Sequence, residues 1–165
     1  MKWVQTILPL WLATYQTFRL ILETIFVYSV AAGILHENVT IKGYNYDMIF
    51  ACTSLITALI IYKTKQLPKQ LLLAWNYLGL LVIAVIISLF ITTIYLPEIY
   101  GPNTPIFPTD FGFYPYVLVP GFLMPSAIFI HVLSIIQLKN SPDNILRLEI
   151  IDILKVNNYN FQEQK

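Results

Sequence analysis

Three long polar side chains, Gln16, Arg19 and Glu23, share one stripe of an otherwise apolar segment. At about 100° per residue they fall within an arc of roughly 60°. Between Val4 and Leu35 there is no other formal charge. A charged side chain at the centre of a bilayer costs about 2.5–3.5 kcal/mol on insertion scales, so such a stripe turns toward a protein interior or a cavity. Arg19 and Glu23 stand at the i, i+4 spacing of a helical ion pair, in the weaker order with the acid C-terminal. A buried set of this kind suits the binding of a small polar or anionic group. With a histidine nearby it also suits a proton relay, because imidazole ordinarily titrates near pH 6.5, about the physiological range.

Depth counting supplies the partners. At about 1.5 Å per residue, Gln16 lies near 10 Å from the start of its helix, Arg19 near 15 Å and Glu23 near 20 Å. The same count puts Asn76 near 8 Å and His131 near 10 Å from the same side, with Ser134 one turn from His131. Gln16, Arg19, Glu23, Asn76, His131 and Ser134 form the candidate intramembrane site. The bland reading is a hydrogen-bonded clamp, since such side chains hold membrane helices together at about 0.6–2 kcal/mol per contact. A second candidate lies before the second apolar segment, where Gly43-Tyr44-Asn45-Tyr46-Asp47 offers Asn45 and Asp47 on the outer side. Those two are equally suited to capping a helix, with Gly43 supplying the turn.

Other chemistries lack their residues. The two histidines, His36 and His131, are assigned to opposite sides and no HxxxH or HxxE cluster occurs, so no metal is expected. No glycine-flanked serine, Walker loop or GxGxxG is present, so no cofactor is implied and no catalytic residue is assigned. Cys52 is the only cysteine, which excludes an intramolecular disulfide and reads as a small apolar residue. Net charge is +1 without a basic tract, which gives nucleic acid no electrostatic footing.

The elements that must position these residues read as membrane spans. Hydrophobic residues make up 57% of the 165 and charged ones 12%, against about 25% charged in soluble domains. The mean hydropathy is +0.66. The expected fold is all-α, a bundle of four transmembrane helices over residues 9–35, 46–66, 71–96 and 114–138. These form one domain, residues 1–139. Pro9 suits a first helical turn. Trp75 and Tyr95 suit the aromatic belts at the two interfaces. The second span is short: Asp47 and Lys63 bracket an uncharged run well under the roughly 20 residues a crossing needs. Pro120 and Pro125 fall inside the last span or its entry, where each removes a helical hydrogen bond and kinks the helix.

Lysine placement sets direction. Lys2, Lys63, Lys65, Lys69 and Lys139 fall on one side and only Lys42 on the other, which puts both termini in the cytoplasm of a cell membrane protein. The first apolar run is too long, and too interrupted by charge, for a cleaved signal peptide. Asn38-Val39-Thr40 matches a glycosylation acceptor on the outer side. The proline-rich, aromatic stretch between Leu96 and Tyr114 reads as an external loop against the bundle mouth. Residues 140–165 form a cytoplasmic tail with a short interfacial helix between Asn144 and Val156, although Leu146 to Ile150 alternates with a strand-like period.

Together the blocks Trp11-Leu12, Gln16-Thr17-Phe18-Arg19 and Glu23, then Gly43, Asn45 and Asp47, then Trp75-Asn76 and Gly79-Leu80, then Pro120, Pro125, His131, Leu133-Ser134 and Gln137-Leu138 resemble a family of small multi-pass bacterial membrane proteins. No activity comes with that resemblance. The leading expectation is binding or passage of a small polar solute inside the bundle, with proton coupling as a variant and the lipid bilayer as surroundings. The alternatives are a membrane-embedded enzyme acting on a lipid, with Glu23 and His131 as acid and base, and a structural partner of another membrane protein or of a second copy.

Overall fold

The computed structural model describes Val4 and residues 7–64, 66–101, 112–141 and 145–147. Five α-helices dominate: α1 (Pro9–Tyr15), α2 (Phe18–Ala31), α3 (Asp47–Thr64), α4 (Lys69–Tyr95) and α5 (Met124–Asn140). Two short strands, β1 (Gln66–Pro68) and β2 (Ile145–Arg147), pair antiparallel with Gln66 opposite Arg147. The stretches Asp47–Thr64, Lys69–Tyr95 and Val119–Asn140 are long and apolar enough to cross a membrane. Large apolar side chains face outward along them, among them Leu59, Leu81 and Phe129. An apolar exterior is what so uncharged a composition requires.

The first segment departs from the expected single helix over residues 9–35. It is broken between α1 and α2 at Gln16 and Thr17, which keep right-handed helical angles (φ −63°, ψ −13° and φ −68°, ψ −17°). Thr17 N–H reaches Thr14 O at 3.0 Å and Leu20 N–H reaches Thr17 O at 3.1 Å. These are i to i−3 bonds, so the chain tightens for a turn and continues in the same direction. The Thr17 hydroxyl also donates to Thr14 O at 2.7 Å, competing for a carbonyl at the break. Helix α2 then ends at Ala31, and Gly33 takes φ +73° in the turn beyond it.

Between α2 and α3 the chain folds back into the bundle. A single 3-10 turn, Glu37–Val39, lies in this segment, and Asn38, Val39, Thr40 and Asn45 are all buried. Val39 packs with Phe26 of α2 and with Ile86 and Phe90 of α4. Gly43 is required by this packing: a Cβ there would lie 2.4 Å from Asn38 Cα and 2.6 Å from Glu37 O. Asn38, the acceptor of the glycosylation motif, is itself among the buried residues of this turn.

The last helix has an unusual entry. Val119–Leu123 winds as a π-helical turn that runs straight into α5. Pro120 sits in the first turn of this continuous helix, where a missing N–H removes little, while Pro125 falls inside it, directly after the π-helical turn. At the opposite end of α5, Lys69 Nζ donates to Ser141 O at 2.7 Å, tying the start of α4 to the end of α5. The expected tail helix lies outside the described residues except for Ile145–Arg147, which form strand β2. Residues 102–111 of the proline-rich loop also lie outside them.

Candidate functional site

Two apolar clusters divide the bundle. Phe26, Leu35, Val39, Ile86, Phe90 and Val119 fill one end. Ala13, Ala58, Ile61, Leu72 and Leu138 fill the other. Between them lie Gln16, Arg19, Glu23, Asn45, Asp47, Asn76, His131 and Ser134, all buried. Buried polar groups cost free energy unless hydrogen-bonded, so where their bonds go decides what this stratum does.

Arg19 does not pair with Glu23, as helical spacing suggests. Its Nε donates to Asp47 Oδ2 at 3.0 Å, and its Nη2 to Asp47 Oδ1, a two-point salt bridge from α2 to the first residue of α3. An arginine fork facing a carboxylate end-on outcompetes an acid one turn along the same helix in the weaker order. Glu23 turns instead to Asn45, whose Nδ2 donates to Glu23 Oε1 at 2.8 Å and to Val39 O at 2.9 Å. Asn45 Oδ1 in turn accepts from Asp47 N–H at 2.8 Å, capping α3. The two residues assigned to an outer-side site thus join the intramembrane one. The folded-back segment carries them there, whereas depth counting assumes that the connection lies outside.

A second network lies across the bundle. Asn76 Nδ2 donates to Leu72 O at 2.8 Å and to Ser134 Oγ at 3.0 Å, so Asn76 Oδ1 faces His131 Nδ1 at 2.9 Å as acceptor. The imidazole therefore donates from Nδ1, and its Nε2 is an acceptor with no partner. Nε2 lies against Gly79: a Cβ at that residue would stand 2.4 Å from it and 2.3 Å from Cε1. His131 is wedged onto the α4 backbone, which leaves no room for a reacting group. Gln16, the third member of the expected layer, donates from Nε2 to Ala127 O at 3.1 Å and so ties the helix break to α5.

Aromatic rings separate the two networks. Phe50 carries the Arg19 guanidinium 5.0 Å above its centroid and stacks on Trp75 at 5.2 Å. Trp75 meets His131 edge-on at 5.5 Å and donates from Nε1 to Thr53 Oγ1 at 3.0 Å. It packs inward rather than serving only as a belt residue. Phe50 and Gly79 carry no charge to attract notice, but each has a sequence signal. Phe50 is one turn from Asp47 and Gly79 one turn from Asn76, on the same helix faces. Gln137 is a further polar clamp, donating from Nε2 to Val4 O at 2.9 Å and to Ile7 O.

One flank of the stratum is open. A narrow cleft, enclosing about 30 Å³ and opening outward at its mouth, runs between α2, α4 and the entry to α5. Arg19, Glu23 and Asp47 form its polar end, and Leu22, Ile83, Val119 and Leu123 are among its apolar walls. Glu23 Oε2 and Arg19 Nη1 are buried and without a hydrogen-bond partner. Among the described residues no cluster of histidine, cysteine, aspartate and glutamate is arranged to hold a metal. Comparison with protein-family models, curated proteins and solved structures finds no match for this chain.

Proposed function

We propose that the chain is a multi-pass membrane protein whose bundle binds a small polar solute, or the polar group of a larger one, at the cluster of Arg19, Glu23 and Asp47. The observation that carries this reading is the cleft with a charged end: Arg19 and Glu23 line it, and each keeps a buried polar atom without a partner. Unpartnered atoms also occur in the helix clamps, at His131 Nε2 and Gln137 Oε1, but only Arg19 and Glu23 among these residues line the cleft. An unpaired buried polar group costs about 1–3 kcal/mol, which a bound polar group would offset. In this reading both termini and Lys63, Lys69 and Lys139 face the cytoplasm, in keeping with the lysine asymmetry. Binding is favoured over passage because rings of Phe50 and Trp75 separate the cluster from the His131 network. The same separation counts against an acid–base pair of Glu23 and His131.

Mass spectrometry of small molecules released from gently extracted protein tests the proposal. A stoichiometric polar compound, lost from Glu23→Gln protein that still folds, is the expected result. Wild-type and variant preparations that both carry nothing, and that respond alike to every added solute, would overturn it. A second reading, a structural partner for another membrane protein, is favoured by the way Asn45 and Asp47 tie the folded-back segment to α2. Recovery of an empty bundle with a stoichiometric protein partner would select it.

A further inference from the structure

The charges around the cleft do not balance in pairs. Arg19 is the one cation of the cluster; its Nε and Nη2 each donate to one oxygen of Asp47, and its Nη1 is left as a donor without an acceptor. Glu23 has only the neutral amide of Asn45, on Oε1. Its Oε2 is an acceptor without a donor in a residue that is 1% exposed and lines the cleft. Around Glu23 the cleft walls are apolar, with Leu22 beside it and Phe26 one turn further along α2, faced by Ile83 and Ile86 of α4 and by Val119 and Leu123. The complement to such a shape is a head that donates hydrogen bonds and carries positive charge, joined to an apolar body.

Resting on the binding function proposed above, we infer that the cleft takes an amine-bearing amphiphile, with its ammonium on Glu23 Oε2 and its hydrocarbon along Leu22, Ile83, Ile86 and Val119. An alkyl ammonium meets both halves of the site. A carboxylate of the same length would set like charge against Glu23, and an alcohol would supply the donor without the charge. The ammonium can belong to a free amine or to the headgroup of an aminolipid.

The test uses the full chain in nanodiscs of phosphatidylglycerol, titrated with hexylamine, 1-hexanol, hexanoate and methylamine while binding and thermal stability are followed. Hexylamine is expected to bind at least tenfold more tightly than any of the other three. Glu23→Gln should remove that preference, and Ile86→Trp, which fills the apolar wall and leaves Glu23 in place, should weaken hexylamine at least tenfold. Replacing half the phosphatidylglycerol with phosphatidylethanolamine separates the sources: competition with hexylamine points to the aminolipid, and its absence to a free amine. Equal binding of hexylamine and hexanol, or a hexylamine affinity unchanged in folded Glu23→Gln protein, would overturn the amine assignment. Hexanoate binding that depends on Arg19 would also overturn it while leaving a polar binding site in place. No binding of any probe to folded protein would remove both.

Discussion

At the scale of single residues, Arg19, Asp47 and Glu23 carry different loads despite sharing one cluster. Arg19 and Asp47 are a buried pair, and removing one partner strands the other's charge in a low-dielectric interior. Arg19→Ala and Asp47→Ala should therefore each destabilise the protein by about 3–5 kcal/mol. The double variant should lose clearly less than the sum of the two, because neither charge is then stranded. Reversible unfolding in mixed micelles measures all three. Glu23→Gln keeps a carbonyl-type oxygen for Asn45 and removes the charge, so it should shift stability by less than about 1 kcal/mol. Comparable losses for Glu23→Gln and Arg19→Ala would mean that Glu23 is a clamp and not a binding group. Gly79 belongs to the second network: Gly79→Ala puts a methyl into His131 and should cost about 1–3 kcal/mol by overpacking. Adding His131→Ala should recover part of that loss, since the clash disappears with the ring.

At the scale of elements, the segment between α2 and α3 explains why the second span is short. Helix α3 has 18 residues, about 27 Å, and its first turn already stands beside Trp75, seven residues into α4. The connection back from α2 buries Leu35, Asn38, Val39, Thr40 and Asn45, with Leu35 and Val39 in the apolar cluster of α2 and α4, while residues such as Ile41 and Lys42 between them stay exposed. Phe26, Ile86 and Phe90 cover Val39 and so bury the inner turn of this irregular stretch. Its turn depends on Gly43, so Gly43→Ala should cost at least 1–3 kcal/mol, about the range of core overpacking. Gly33→Ala should cost about 1–2 kcal/mol from its positive φ alone. Gly121→Ala, with nothing within 4 Å of the new methyl, should stay within about 0.5 kcal/mol. Thermal melts of the three variants in one detergent rank them.

The same elements show what was legible in the sequence. Asn76 and His131 meet because α4 and α5 are regular there, so counting residues from a shared end measures real height. Asp47 pairs with Arg19 instead of forming a site apart, because the count treats every connection as external, and no residue type announces that Asn38 to Thr40 and Asn45 turn inward. The break at Gln16 and Thr17 carries neither proline nor glycine, and both residues keep helical angles, so periodicity alone runs straight through it. The pairing of Ile145–Arg147 was signalled by alternation at Leu146 to Ile150, but its partner, Gln66–Pro68, is set only by how α4 and α5 bring those chain segments together.

At the scale of the whole molecule, what remains is how many times the chain crosses. Three helical stretches are long and apolar enough to span without help. The fourth crossing needs α1 and α2 to act as one bent rod, about 34 Å from Pro9 to Ala31 at 1.5 Å per residue. The continuous helical angles at the break, and the bond from Gln16 to Ala127 O that fastens it to α5, support one rod. With four crossings, Leu8 must lie on the same side as Lys63 and Lys139, and Glu98 on the other. With three, Leu8 lies with Glu98. Single cysteines at Leu8, Lys63, Glu98 and Lys139, none of them buried, on a Cys52→Ser background, distinguish the two when intact cells are treated with a membrane-impermeant maleimide. Labelling of Glu98→Cys alone is expected. Labelling of Leu8→Cys together with Glu98→Cys would sink the four-span arrangement.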